Sequence, residues 1–119
     1  MMDKVLYNRT TRQVLARELK VAHHFLERLK GLMFTKKFPE CGGLIIEPCG
    51  GVHTFFMRYP LDIILIDAQN VVLYKKIAIL PNRLTPYFKC SRIAVELPAG
   101  TLLQQSVSLG DELQILFKE

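Results

Sequence analysis

Near its start the chain alternates apolar and polar residues, the period-two pattern that turns one face of a β-strand toward a core. Residues 5–8 read as a short strand and residues 13–20 as a second, alternating one, with Arg9, Thr10 and Thr11 as a polar turn between them. The chain therefore opens with a hairpin. At Val21 the period changes: Val21, Ala22, Phe25, Leu26, Leu29, Leu32 and Met33 share one helical face, opposite His23, His24, Glu27, Arg28 and Lys30. This spacing predicts a surface helix with its apolar stripe on a sheet, ending around residues 32–34. Gly31, Lys36, Lys37 and Pro39 supply the breaker and the cationic flank that helix ends favour.

Beyond the helix the pattern is β again. Residues 43–47, 52–58, 61–67 and 71–80 form strand-like runs separated by Gly, Pro or polar turns. Asp67-Ala68-Gln69-Asn70 is a short polar link between two aliphatic runs, which predicts an antiparallel hairpin. Residues 81–89, with two prolines, read as a surface loop of the kind that often shapes a site, followed by a strand over residues 92–97. Residues 99–107 are expected to form a short helix, and Gly110-Asp111 then turns the chain into a last strand ending near Phe117. The expected fold class is α+β, with mostly antiparallel strands.

Composition narrows the class. The 119 residues fall within the usual size of one domain, and half of them are hydrophobic, so residues 1–119 are expected to share one core. The longest aliphatic run, Ile63-Ile64-Leu65-Ile66, is far short of the roughly 20 apolar residues that cross a bilayer, so no membrane insertion is expected. The first nine residues turn polar too soon to make the apolar core of a signal peptide, and a cytoplasmic location is expected. Three cysteines, Cys41, Cys49 and Cys90, cannot all pair within one chain and read as reduced thiols, more often core fillers than reactive groups.

The net charge of +5 is uneven. Residues 1–37 carry nine Lys and Arg against three acids, and residues 72–92 carry five against none. Brought together, these segments would attract phosphate-rich or acidic partners; apart, their lysines serve as solvated faces and guards of sheet edges. The chain lacks a phosphate-binding glycine loop, metal-finger spacing and the aromatic-glycine signature of an RNA-binding sheet. Nucleic acid therefore ranks below a small molecule or a protein as the expected partner.

Most of the chemistry lies between Cys49 and Asp62. In an extended strand His53, Phe55 and Met57 would share one face, so His53 would have apolar neighbours. Alternation puts Asp62 on the face of Ile64 and Ile66, where a lone carboxylate costs several kcal/mol. It must pair with an arginine such as Arg28 or Arg58, cap backbone N–H groups after Pro60, or work as a pocket carboxylate. Cys49 and His53 are too far apart, roughly 13 Å in extended chain, to meet at one zinc ion, and no metal site is expected.

Several motifs stand in a recognisable order. Glu27-Arg28-Leu29-Lys30-Gly31-Leu32-Met33 and Gly43-Leu44-Ile45-Ile46 come first. The central motif runs from His53-Thr54-Phe55-Phe56-Met57-Arg58 through Tyr59-Pro60-Leu61-Asp62-Ile63. Asp67, Pro81, Val95-Glu96-Leu97-Pro98-Ala99-Gly100 and Gly110-Asp111 follow. Over about residues 13–117 the chain resembles the domain of unknown function 192 family of bacteria and archaea. Many relatives place an Asn-Thr pair between the methionine and the Pro-Leu-Asp, where this chain has Arg58-Tyr59, and some carry a secretion signal. The resemblance implies a small, mostly antiparallel β-barrel or strongly curved sheet with one or two packed helices, and it brings no reaction or cofactor with it. It also implies that Arg28, His53, Met57, Asp62 and Glu96 belong together, as a site or as a structural lock.

Three functional readings follow. The first is a binding or accessory module that holds a small ligand or partner near the 53–62 segment and the 81–89 loop. The second is a hydrolase-like enzyme in which His53 and Asp62 move a proton. The third is weak binding of nucleic acid by the basic segments.

Overall fold

The computed structural model describes residues 3–22 and 35–118. Its strands are β1 (Asp3–Asn8), β2 (Gln13–Ala16), β3 (Leu19–Ala22), β4 (Gly43–Ile46), β5 (Leu61–Asp67), β6 (Val72–Ile79), β7 (Ser91–Pro98) and β8 (Leu113–Lys118). A single helical turn, α1 (Thr101–Gln104), lies between the last two. The fold is α+β and mostly strand, as expected.

The strands form two sheets, ordered β2-β1-β8 and β3-β4-β7-β5-β6. The one parallel pair among the described strands is β3 with β4; the others are antiparallel. The described strands thus do not close into one hydrogen-bonded barrel. They meet at a corner, where Val71 bridges Glu112 and the Val72 N–H donates to the Asp111 carbonyl at 2.9 Å.

The five-stranded sheet carries a core on each face. On one side Ile64, Ile66, Val95 and Leu97 pack against Leu6, Leu15 and Leu113 of the smaller sheet and Leu102 of α1. On the other side Leu61, Ile63, Leu65 and Ala94 pack with Val52, Met57 and Ile79. Strand β5 lies between β7 and β6 and is covered above and below, which explains its unbroken aliphatic run. Neither face of β5 had to be polar.

Four expectations change in detail. The strand expected over residues 13–20 is two strands, β2 and β3, in different sheets. The chain turns between them at Glu18, which has a positive φ of 54°. Gly42 fits beneath this crossing, since a β-carbon there would lie 1.8 Å from the Arg17 carbonyl oxygen. Val21 and Ala22, expected to start a helix, belong to β3 and pair with Ile45 and Ile46. Their helical spacing is overridden by a free strand edge on β4; the remainder of that expected helix lies outside the described residues.

Residues 52–58 do not form a strand. Among them only His53 makes a β-bridge, to Leu84, and the chain turns at Phe55 and Phe56, where Phe56 has a φ of 63°. The helix expected over residues 99–107 is reduced to α1, which follows a left-handed Gly100 with φ 98°. By contrast the hairpin at residues 67–70 is present: Asp67 Oδ1 accepts the N–H groups of Gln69 and Val71 at 2.9 and 3.0 Å.

Candidate functional site

Asp62 sits on β5 with no exposed surface, facing the space between the two sheets as alternation predicts. Opposite it the β5–β6 ladder slips: Leu61 pairs with Ile79 but Ile63 pairs with Lys76. The extra residue on β6 is a bulge, and Ala78 within it has a φ of 53°. Asp62 Oδ1 accepts the Ala78 N–H at 2.8 Å, and Oδ2 accepts the Leu102 N–H at 2.9 Å. Residue Gly100 at the start of α1 offers no side-chain cap, so Asp62 caps that turn from across the sheet. Its partners are backbone N–H groups, but from β6 and α1 rather than from the residues after Pro60 that the sequence suggested.

Glu96 lies on β7 and faces the other way. Asp62 pairs with Leu97 while Ile63 pairs with Glu96, so the two carboxyl groups stand on opposite faces of the same sheet. Glu96 is 2% exposed, and burial pushes its carboxyl from the usual 4.5 up to about 7. The ion pair present among the described residues is Arg9 with Glu112, at the surface. Near Glu96 lies Tyr59, whose hydroxyl is 2.6 Å from that of Thr35 and whose ring meets Phe38 edge-on at 6.4 Å. Burial raises the Tyr59 hydroxyl pKa against the Thr35 hydrogen bond, and Glu96 and Cys41 add to the rise. Met57 is buried in the apolar cluster on this same side.

His53 belongs to neither carboxylate. Its Nδ1 accepts the Phe55 N–H at 3.2 Å, and its ring stacks on that of Phe55 at 5.3 Å. The sequence-predicted set is therefore divided: Met57 and Glu96 share one side of the sheet, Asp62 takes the other, and His53 lies in the loop that meets Leu84. Arg28 lies outside the described residues.

Two threonines not singled out from sequence hold that loop. Buried Thr54 donates its hydroxyl to the Leu80 carbonyl at 2.7 Å and accepts the Arg83 N–H at 2.9 Å. Its backbone N–H and carbonyl also bond to Arg83 and Asn82, each at 2.9 Å. Thr85 Oγ1 accepts the Val52 N–H at 2.8 Å. These bonds take up backbone groups that a strand would have offered to a ladder, which is why residues 52–58 leave the sheet. A small polar residue inside an apolar run was the only hint.

Where this clasp meets β6 there is a cavity of about 360 Å³, lined by residues 74 and 76–79 together with Leu80, Arg83 and Leu84. Leu80 and Leu84 are exposed, as are Phe55 and Phe56 on the clasped loop. Its charged side chains are Lys76 and Arg83, both exposed. Arg83 Nη1 donates to the carbonyls of Pro81 and Asn82 at 3.3 and 3.4 Å. Ala78 joins the two features: its N–H belongs to Asp62 while the residue itself lines the cavity.

Metal chemistry finds no assembled ligand set among the described residues, where no three His, Cys, Asp or Glu side chains converge. The Cys49 thiol donates to the Gly51 carbonyl at 2.9 Å and the Cys41 thiol to the Gly43 carbonyl at 3.6 Å.

The chain is similar to other proteins in sequence and, for two solved structures, in fold. The chain is 27% identical over 113 residues to a UPF0127 protein of Thermococcus sibiricus, covering 92% of this chain and 73% of that protein. It is 29% identical over 102 residues to one from Pyrococcus furiosus, covering 82% and 85%. A crystal structure of a protein of unknown function from Novosphingobium aromaticivorans superposes with a TM-score of 0.76 at 19% identity, over 94% of this chain and 83% of that one. A putative transcription regulator from Sinorhizobium meliloti gives 0.78 at 18% identity, over 97% and 94%; at such identities the likeness is one of fold. The family model for DUF192, Uncharacterized ACR, matches residues 6–115, and the chain belongs to that family.

Proposed function

We propose that this protein is a binding module whose site is the cavity between β6 and residues 80–84. The observation that carries the reading is the cavity itself, about 360 Å³ and walled by Ile77, Ile79, Leu80 and Leu84 with two cations at hand. That volume is within the range of small-ligand sites, although more of its accessible lining is polar than apolar. It also lies beside the central motif and the 81–89 loop, through the His53–Leu84 bridge and the Thr54 clasp. Asp62 enters this reading as a positioning residue, because the bulge it secures puts Ala78 in the cavity wall.

Proton transfer by His53 and Asp62 has less in its favour. Both oxygens of Asp62 accept backbone N–H groups, and His53 Nδ1 accepts a third, so neither group reaches the other through these bonds.

The reading is tested by amide NMR of the labelled protein titrated with phenol and isopropanol, small probes that collect in apolar recesses. Shifts concentrated in residues 74–84 are expected. Shifts spread evenly over the surface, or centred on another region, would refute the site.

A further inference from the structure

The half-open cavity combines a largely polar lining with the exposed apolar side chains of Ile77, Leu80 and Leu84, and its charge is one-sided. Lys76 and Arg83 line it, and no acidic side chain does. Among the described residues neither cation is in an ion pair, the pair present being Arg9 with Glu112. The neighbouring Lys75 behaves differently, since its ammonium donates to the Val107 carbonyl and so ties β6 to the chain after α1. Lys76 follows it on the strand, so adjacent lysines take separate tasks: one braces the fold and the other borders the cavity. Arg83 is held by two backbone carbonyls, which restricts its guanidinium without neutralising it. A cation held but unneutralised beside apolar surface favours an anion that brings its own apolar body, because burial of that body and a charge-assisted hydrogen bond then act together.

We infer that the cavity takes a small amphiphilic anion, a carboxylate or similar acid head on an apolar chain or ring. The head lies between Lys76 and Arg83, and the body lies along Ile77, Leu80 and Leu84. This inference rests on the binding reading above and adds the charge and class of the ligand.

The test uses three probes with the same eight-carbon body, kept below micelle-forming concentrations: octanoate, octanamide and octyltrimethylammonium. Binding is read by amide shifts in residues 74–84. Octanoate is expected to bind about tenfold more tightly than octanamide, with the cation weakest, and the preference should shrink as salt rises. Lys76→Gln and Arg83→Gln should each bring octanoate affinity toward that of octanamide, and a urea titration of each variant establishes that it is folded. Equal affinity for the three probes at this cavity would overturn the anion preference and leave the binding site standing. Failure of all three to shift these residues would overturn both. Sedimentation with phosphatidylglycerol vesicles, without octanoate-induced shifts in the cavity, would overturn the small-molecule inference in favour of an anionic membrane surface.

Discussion

Asp62 holds the backbone N–H of Ala78 at 2.8 Å, across a bulge that takes that donor out of the regular strand ladder. Its second oxygen does the same for Leu102 at 2.9 Å, so one carboxylate fastens β6 and α1 to β5. Removing it strands two donors at once. Asp62→Ala is expected to lower stability by about 2–3 kcal/mol, given a cost of roughly 1–3 kcal/mol for the buried Leu102 N–H left unsatisfied and a smaller one for Ala78, which water can reach. Asp62→Asn, which keeps one acceptor, should lose about half as much. Urea unfolding measures both, and an unchanged midpoint for Asp62→Ala would show that the lock contributes nothing.

Ala78 adopts a left-handed conformation that costs a residue with a β-carbon about 1–2 kcal/mol. Glycine removes this strain but adds chain entropy on unfolding, about 0.5–1 kcal/mol. Ala78→Gly should therefore stabilise the protein by about 0.5–1 kcal/mol, whereas β-branched Val should destabilise it. Thermal unfolding of the two variants should move in opposite directions.

Glu96 makes stability depend on pH. Its folded carboxyl titrates at about 7 against 4.5 ordinarily, so the folded state binds the proton more tightly than the unfolded chain. The contribution is fully present below pH 4.5 and is lost as pH rises toward and through about 7, with a total on the order of 3 kcal/mol. Glu96→Gln should flatten this fall and make the protein the more stable of the two at pH 8. Urea midpoints at pH 5 and pH 8 decide it; equal slopes for wild type and variant would rule out Glu96 as the titrating group.

Thr54→Val keeps the shape of the side chain but removes the hydroxyl shared by Leu80 and Arg83. A loss of about 1–3 kcal/mol is expected, with the clasp opening before the sheets do. Hydrogen exchange would report this as faster exchange at the amides of Asn82 and Arg83, with β5 and β7 amides retaining protection. Uniform acceleration across all strands would mean that the clasp and the core open as one unit.

Local pattern determined much of this protein. The opening turn, the hairpin at residues 67–70, the strand around Asp62 and the ordered family motifs all follow from neighbours in sequence, through strand alternation and turn chemistry. Alternation even placed Asp62 on the correct face. What it could not supply were the partners, because Ala78 and Leu102 lie 16 and 40 residues away and are brought near only by strand pairing and the β7–α1 connection. The central motif misled for a related reason: its residues suit a strand, but the hydroxyls of Thr54 and Thr85 claim the backbone of the facing segments. Strand register decided that Asp62 and Glu96 face opposite ways, a single step between two neighbouring strands that no residue type encodes by itself. Sequence thus determined which segments are extended and which residues are unusual, while tertiary pairing decided which polar groups meet, because partners for buried donors and acceptors are found across strands rather than along the chain.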